Sequence, residues 1–343
     1  MKKIMFLGGT GFIGKNLVEA FVKAGGYDCV VFGKHGFPAE AAPLFLNMPV
    51  CLGDALDRKS LREAFKTHSP EILVHLVTST IPSSSNQDMI SDIKSNLVGT
   101  LQMLDLAREC GVKKVVFLSS GGTVYGIPRS NPVSETAPTN PICSHGIGKL
   151  AVEKYLQLYH HMFGLEYLIC RVSNPYGEYH HSPVQGLINV MLRRILKGEE
   201  VVIWGDGTTI RDYIYVKDVA DAILKLVQND AFNQVVNIGR GQGLSVNQVL
   251  TLVQKELGSF PVRYEPGRAF DVPALVLDSA KLRSLIPCEF TSVEEGLRST
   301  VAWLRKYDEL RERAGAGTSE RCEADSGAGG REAQVSEVET ESW

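Results

Sequence analysis

No apolar run in this 343-residue chain comes near the roughly 20 residues that a membrane helix requires. An excess of one charge is missing too. The formal net charge is −3, which offers nothing to the phosphates of a nucleic acid or to an anionic membrane surface. Paired cysteines are absent. Cys29, Cys51, Cys110, Cys143, Cys170, Cys288 and Cys322 stand singly with no CxxC spacing, so neither a disulfide framework nor a thiolate zinc site is expected. The histidine pairs His160-His161 and His180-His181 are sequence neighbours, which point in different directions on a helix, so no metal site is expected from them. The first residues already read as strand, so no signal peptide and a cytoplasmic location are expected. What remains is a globular chain, long enough for one large domain or two smaller ones.

The strongest positive signal opens the chain. Lys3-Ile4-Met5-Phe6-Leu7 is a strand-length apolar run, followed at once by Gly8-Gly9-Thr10-Gly11-Phe12-Ile13-Gly14 and then by an amphipathic pattern from Lys15. Strand, glycine turn and helix in that order predict a dinucleotide site. Gly8 permits the tight turn, Gly11 lets backbone approach a pyrophosphate, and Gly14 lets helix and strand pack closely. The free N–H groups at the start of the helix then face the phosphates.

Further strands are expected at Cys29–Phe32, Ile72–Val77, Val115–Leu118, Tyr167–Val172 and Val235–Ile238. Helices are expected at Lys15–Ala24, Ser60–Lys66, Ser91–Glu109, Gly148–Phe163, Val184–Lys197, Val216–Val227 and Ser245–Leu257. This alternation predicts an α/β fold with a doubly wound parallel sheet (Rossmann type) and a smaller C-terminal substrate-binding subdomain. The expected division is 1–173 for the dinucleotide, 174–310 for the substrate with some strands returning to the first sheet, and 311–343 as a disordered tail. From Arg311 the chain is rich in Gly, Ala, Ser and Glu and too poor in large apolar residues to offset the entropy of ordering.

Several motifs follow in fixed order. Ser119-Ser120-Gly121-Gly122-Thr123-Val124-Tyr125-Gly126 ends a strand, and Pro141-Ile142-Cys143-Ser144-His145-Gly146-Ile147-Gly148-Lys149 opens a helix. Asn174-Pro175-Tyr176-Gly177, then Gly205 to Tyr213 with Arg211-Asp212, then Gly267-Arg268-Ala269-Phe270-Asp271 complete the set. Over residues 1–305 the ordered set resembles the extended short-chain dehydrogenase/reductases. Within them it is most similar to the NAD-dependent epimerases and dehydratases of nucleotide sugars, of the UDP-glucose 4-epimerase type.

The resemblance implies a tightly held NAD, a UDP-hexose substrate and epimerisation at C4 through a transient 4-keto sugar. It implies cofactor contacts from Gly8, Gly11, Phe12, Ile13, Gly14, Asp54, Ala55, Leu76, Val77 and Lys149, with Asn96 ordering the loop beneath. Nucleotide-sugar contacts are implied for Asn174, Arg211, Arg268 and Asp271. Two arginine forks suit a diphosphate better than ammonium groups do. Leu275 stands where a gate residue limits the C2 substituent of the sugar. Thr123 is assigned the hydroxyl that holds the sugar oxygen, with Ser120 second. The helices at Ser91–Glu109 and Gly148–Phe163 are expected to build a homodimer.

Two positions depart from the pattern. The family's proton-transferring Tyr is replaced by His145, four residues before Lys149. An imidazole is shorter than a phenol and cannot become a phenolate, yet it is a neutral base that a neighbouring Lys⁺ keeps neutral. Three readings stay open: an epimerase working through His145 or another group, a slow remnant, and a binding protein that kept the pocket. The second departure follows Cys29–Phe32, where Gly33-Lys34-His35 replaces the ribose-binding acid. Lys34 leaves NADP open beside NAD, and with it a keto-sugar reductase. Dehydration is not expected, because Val124-Tyr125 follows Thr123 instead of Asp-Glu.

Overall fold

The computed structural model describes residues 1–38, 43–82, 84–267 and 272–324. Its strands and helices alternate through the first half: β1 (Lys2–Leu7), α1 (Phe12–Ala24), β2 (Tyr27–Gly33), α2 (Pro43–Leu46), β3 (Val50–Leu52), α3 (Arg58–His68) and β4 (Ile72–His75). Then come α4 (Met89–Asp92), a π-helical stretch Ile93–Val98, α5 (Gly99–Glu109), β5 (Lys114–Ser120), α6 (Ser144–Phe163) and β6 (Glu166–Val172). The second half supplies β7 (Asn174–Tyr176), α7 (Leu187–Leu196), β8 (Val201–Trp204), β9 (Ile210–Tyr215), α8 (Val216–Gln228), β10 (Gln234–Ile238) and β11 (Gly243–Ser245). It ends with α9 (Val246–Leu257), β12 (Val262–Glu265), β13 (Ala274–Leu275), α10 (Ala280–Leu285) and α11 (Val293–Ala324).

Among the described residues, seven strands form one parallel sheet in the order β3-β2-β1-β4-β5-β6-β10. The strand order reverses between β1 and β4, and in open α/β sheets that switch point is where ligands bind. The sheet is apolar on both faces because helices cover both. Ile4 and Phe6 of β1 pack with α1 and α8, while Met5 and Leu7 face the opposite way, toward α3, α5 and α6. This alternation along one strand is the doubly wound fold expressed in side chains.

Smaller sheets carry the second half. β9 pairs with β7, β11 and β13, and β8 pairs with β12. α7, α9 and α11 pack over them around Ile188, Leu192, Val249 and Leu297. β10 returns from this half to the edge of the large sheet beside β6.

Among the differences from expectation, three stand out. β4 stops at His75, so Leu76 and Val77 belong to the loop at the switch point. The helix expected over Ser91–Glu109 is interrupted by the π-helical stretch, whose side chains draw on neighbouring carbonyls and the adjacent loop. Ser95 Oγ donates to Ser91 O (2.8 Å), Thr100 Oγ1 to Asn96 O (2.6 Å), and Asn96 turns its amide toward Asp92. Finally, α11 runs past the Arg311 boundary expected from composition, to Ala324. Ala, Glu and Arg in that stretch favour helix even where large apolar residues are scarce.

Candidate active site

The glycine turn does what tight backbone contact requires. Gly8 has φ +80°, a left-handed conformation that favours glycine. A Cβ on Gly14 would stand 2.6 Å from Gly8 O and 2.7 Å from Gly9 Cα, so α1 can touch the turn only without a side chain there. Gly11 is the N-cap of α1, with no side-chain cap and no acid in the first turn. The open N–H groups of α1 and its dipole therefore face the cleft without a local anion to answer them. This cradle fits the pyrophosphate of a dinucleotide.

A single cleft of about 1660 Å³ begins at this turn. Gly8, Gly11, Phe12, Ile13 and Gly14 line it at one end, with Lys34, Asp54 and Ala55 beside them. Leu76, Val77 and Asn96 line its middle with Ser120 and Thr123, and Asn174 and Arg211 line the far end. Lys34 Nζ lies 3.2 Å from Asp54 Oδ2, so a carboxylate already answers the amine that follows Gly33.

Asn96 joins three elements below the cleft. Its Oδ1 accepts from Ser79 N (2.9 Å), and its amide donates to Thr80 Oγ1 (3.0 Å) and Asp92 Oδ1 (2.7 Å). Asp92 also takes the hydroxyl protons of Thr80 and Ser144, the latter at 2.6 Å. The loop after β4 is thereby tied to the first turn of α6. Gly146 presses that turn onto the 120–123 loop, because a Cβ on it would meet Thr123 O at 2.9 Å.

Ser120, Gly122 and Asn174 converge. A Cβ on Gly122 would lie 3.9 Å from Asn174 Oδ1 and 4.0 Å from Ser120 Oγ. Gly121 has no room for a side chain, since its Cβ would fall 2.5 Å from Leu277 Cδ1. Hydroxyls in this loop therefore come from Ser120 and Thr123. Asn174 Nδ2 is fixed on Asp212 O (3.1 Å), and Arg211 Nη1 is fixed on Ile210 O (2.9 Å) and Val272 O (2.6 Å).

His145 and Lys149 lie one turn apart on α6 and line a small recess of about 10 Å³, together with His75, Thr100 and Phe117. Val77, Thr78 and Asn96 line both spaces, so the recess adjoins the main cleft. Lys149 Nζ donates to Leu118 O (2.9 Å) and sits 4.8 Å from the centre of the Phe117 ring. Burial brings its amine down to about 8, against the pull of Glu153 and Asp92. Burial, joined by the Lys149 charge and opposed by Asp92, takes the His145 imidazole down to about 4. At neutral pH His145 is neutral and Lys149 mostly charged.

Comparison with known proteins fits this geometry. Residues 4–239 match the sequence pattern of the NAD dependent epimerase/dehydratase family. The chain belongs to that family. It is 31% identical over 312 residues to a UDP-glucose 4-epimerase of Mycolicibacterium smegmatis, covering 88% of this chain and 98% of that protein. Among solved structures it is similar to the UDP-glucose 4-epimerase of Thermotoga maritima with UDP-glucose, with 34% identity, TM-score 0.80, and 89% and 99% of the two chains covered. It is also similar to that of Thermus thermophilus in complex with NAD, with 30% identity, TM-score 0.80, and 88% and 99% covered.

Not every expected residue reaches the cleft. Leu275 is 1% exposed and packs with Tyr125, Val133 and Leu277 in a core cluster. Its strand β13 pairs with β9 and turns the side chain inward. Arg268 and Asp271 lie outside the described residues. Other lining residues were assigned no role from the sequence. His180 packs edge-on against Phe12 at 4.6 Å and lines the cleft, as do Trp204 and Tyr213. Alternation along β8 and β9 could have marked the last two, had those short strands been legible.

Among the described residues, no helix is long and apolar enough to cross a membrane, and no group of three His, Cys, Asp or Glu could hold a metal ion.

Proposed function

We propose that this protein epimerises a UDP-hexose at C4, with NAD held in the cleft and His145 in the position of the usual tyrosine. The observation that carries the reading is the continuity of the cleft. It runs from the glycine turn, past Ser120 and Thr123, to Asn174 and Arg211. The relatives of similar structure hold UDP-glucose and NAD. The cradle at Gly8, Gly11 and Gly14 fits the dinucleotide phosphates, and the Lys34–Asp54 pair favours NAD over NADP because Asp54 would repel a 2′-phosphate. Bound NAD supplies reversible hydride transfer at C4 of the sugar.

The chain's own residues supply the rest. Arg211 and, by resemblance, Arg268 and Asp271 hold the nucleotide diphosphate. Trp204, on β8, lines the same cleft. Thr123 and Ser120 hold the C4 oxygen, and Lys149 keeps a positive charge beside it. Neutral His145 accepts the hydroxyl proton and returns it. A base with its pKa near 4 works against a gradient at neutral pH, so turnover slower than that of a tyrosine enzyme is expected. Met89, Ile90 and Ile93 beside α5, and Ile147, Leu158 and Met162 on α6, are exposed and apolar, which supports a homodimer through these helices.

The seat of His145 in the recess beside the main cleft favours a second reading, nucleotide-sugar binding without turnover. A proton NMR time course with UDP-glucose, UDP-galactose and their N-acetyl counterparts separates the two. Appearance of a C4 epimer establishes catalysis. Flat traces accompanied by calorimetric binding establish the second reading.

A further inference from the structure

Beside the cleft, the small recess is lined by a residue with an unpartnered polar atom. His75, at the end of β4, is 5% exposed. Its Nε2 lies 2.9 Å from Thr100 Oγ1. Thr100 spends its own proton on Asn96 O at 2.6 Å, so the ring must donate through Nε2. The Nδ1 of His75 is then a lone-pair acceptor, buried and with no hydrogen-bond partner among the described residues. Such an acceptor is costly unless something answers it.

The recess supplies both space and a donor. About 10–15 Å³ is enough for one water molecule, and the water needs two to four polar partners. The recess measures about 10 Å³ and is lined by His75, His145 and Lys149. Lys149 uses one N–H on Leu118 O, and its ammonium carries three.

We propose that one water molecule sits in this recess, accepting from Lys149 Nζ and donating to His75 Nδ1, so that His75 is a positioning residue for Lys149. A chain of donors then runs from Lys149 through the water, His75 and Thr100 to the Asn96 carbonyl on the π-helical stretch. Through the water the ring accepts from the ammonium and stabilises its charged form. The other charged and titratable groups facing Lys149 are Glu153 and His145 on α6 and Asp92 on α4; Glu153 and Asp92 both favour the charge. Burial holds His75 neutral, down to about 3, so it stays an acceptor throughout the range in which Lys149 titrates. The inference rests on the proposed function only for its consequence in catalysis, because Lys149 is a cofactor and substrate contact there.

The test needs no turnover. In the intact protein with lysines labelled by ¹³C at Cε, the Lys149 signal is assigned with Lys149→Arg and followed against pH. His75→Gln keeps an amide at the place of Nε2 for Thr100 and removes the acceptor at Nδ1. His75→Asn keeps a polar atom at the place of Nδ1. The Lys149 midpoint should fall by about one pH unit in His75→Gln and move much less in His75→Asn. An unchanged midpoint in His75→Gln, or equal shifts in both, overturns the proposal. Should a variant not fold, a crystal structure of the wild-type protein decides. An ordered water within hydrogen-bond distance of both His75 Nδ1 and Lys149 Nζ is expected, and a water touching only one of them, or none, overturns it. A protein that binds but does not turn over leaves every arm of this test intact.

Discussion

Arg171 and Glu153 meet as a buried ion pair, Nη2 to Oε2 at 2.6 Å, with side-chain exposures of 5% and 1%. The pair ties β6 to α6 behind the Ser119-Ser120 end of β5. Glu153 also takes the Ser119 hydroxyl, and Arg171 donates to the Tyr125 hydroxyl at 2.9 Å. Lys149 lies one turn before Glu153 on the same helix. The pair therefore sets the height of α6 against the strand that carries Ser120.

Glu153→Ala should strand a buried guanidinium and cost about 3–5 kcal/mol. Urea unfolding will read this as a lower midpoint at unchanged slope. The double change Glu153→Leu with Arg171→Met should recover most of the loss, because well-packed apolar groups replace a buried pair at little net cost. A wild-type midpoint in Glu153→Ala would mean that the pair contributes nothing.

Gly14→Ala addresses the cofactor end. The added Cβ meets backbone of Gly8 and Gly9, which cannot swing aside as a flexible side chain would. The turn must open, and NAD retained through purification should fall at least about tenfold, the effect of roughly 1.4 kcal/mol. Gly36→Ala is the control, since no atom lies within 4 Å of its added Cβ. Cofactor released on denaturation, weighed by mass spectrometry, gives the ratio. Equal amounts in the two variants would remove the glycine turn from the cofactor site.

These two sites were unequally legible. The glycine turn could be read from the first residues, because strand, turn and helix are contiguous and each glycine answers a local steric need. That Asn96, Ser120, Thr123 and Asn174 line the cleft was legible through ordered motifs. The Arg171–Glu153 pair was not, since a charged residue inside a strand pattern says nothing about its partner on a helix. Leu275 was misplaced for a related reason. The motif order put it at the gate, but whether its side chain faces cleft or core depends on the pairing of β13 with β9. The recess holding His145 was equally hidden. Asn96, which lines it, sits on the π-helical stretch, where competition for side-chain and backbone hydrogen bonds breaks a periodicity that otherwise reads as one continuous helix.

Arg211→Ala addresses the nucleotide end. Its guanidinium is held by the carbonyls of Ile210 and Val272, so its direction into the cleft is fixed before any ligand arrives. A preset, charge-assisted contact is worth about 2 kcal/mol. Calorimetric affinity for UDP should therefore fall about thirtyfold. Arg211→Lys should recover only part, because an ammonium cannot present the fork. Unchanged affinity in Arg211→Ala would place the diphosphate elsewhere.

Stability should fall steeply on mild acidification. Burial holds His75 down to about 3 and His145 to about 4, each helped by Lys149, and holds His180 to about 4, helped by Arg193. In the unfolded chain these imidazoles take up protons near pH 6.5, while in the folded chain they resist until far lower pH. The unfolded state thus binds more protons throughout that window. Stability is fully present above about pH 6.5 and is lost as pH falls toward about 4. Each group contributes a slope of at most about 1.4 kcal/mol per pH unit. Urea midpoints measured between about pH 7 and about pH 5 should drop accordingly. His180→Phe keeps the ring against Phe12 but has nothing to protonate, and it should flatten the slope by about one proton's worth. A variant that tracks the wild-type slope throughout would show that His180 is protonated in the folded protein, and that its packing against Phe12 does not exclude the charge.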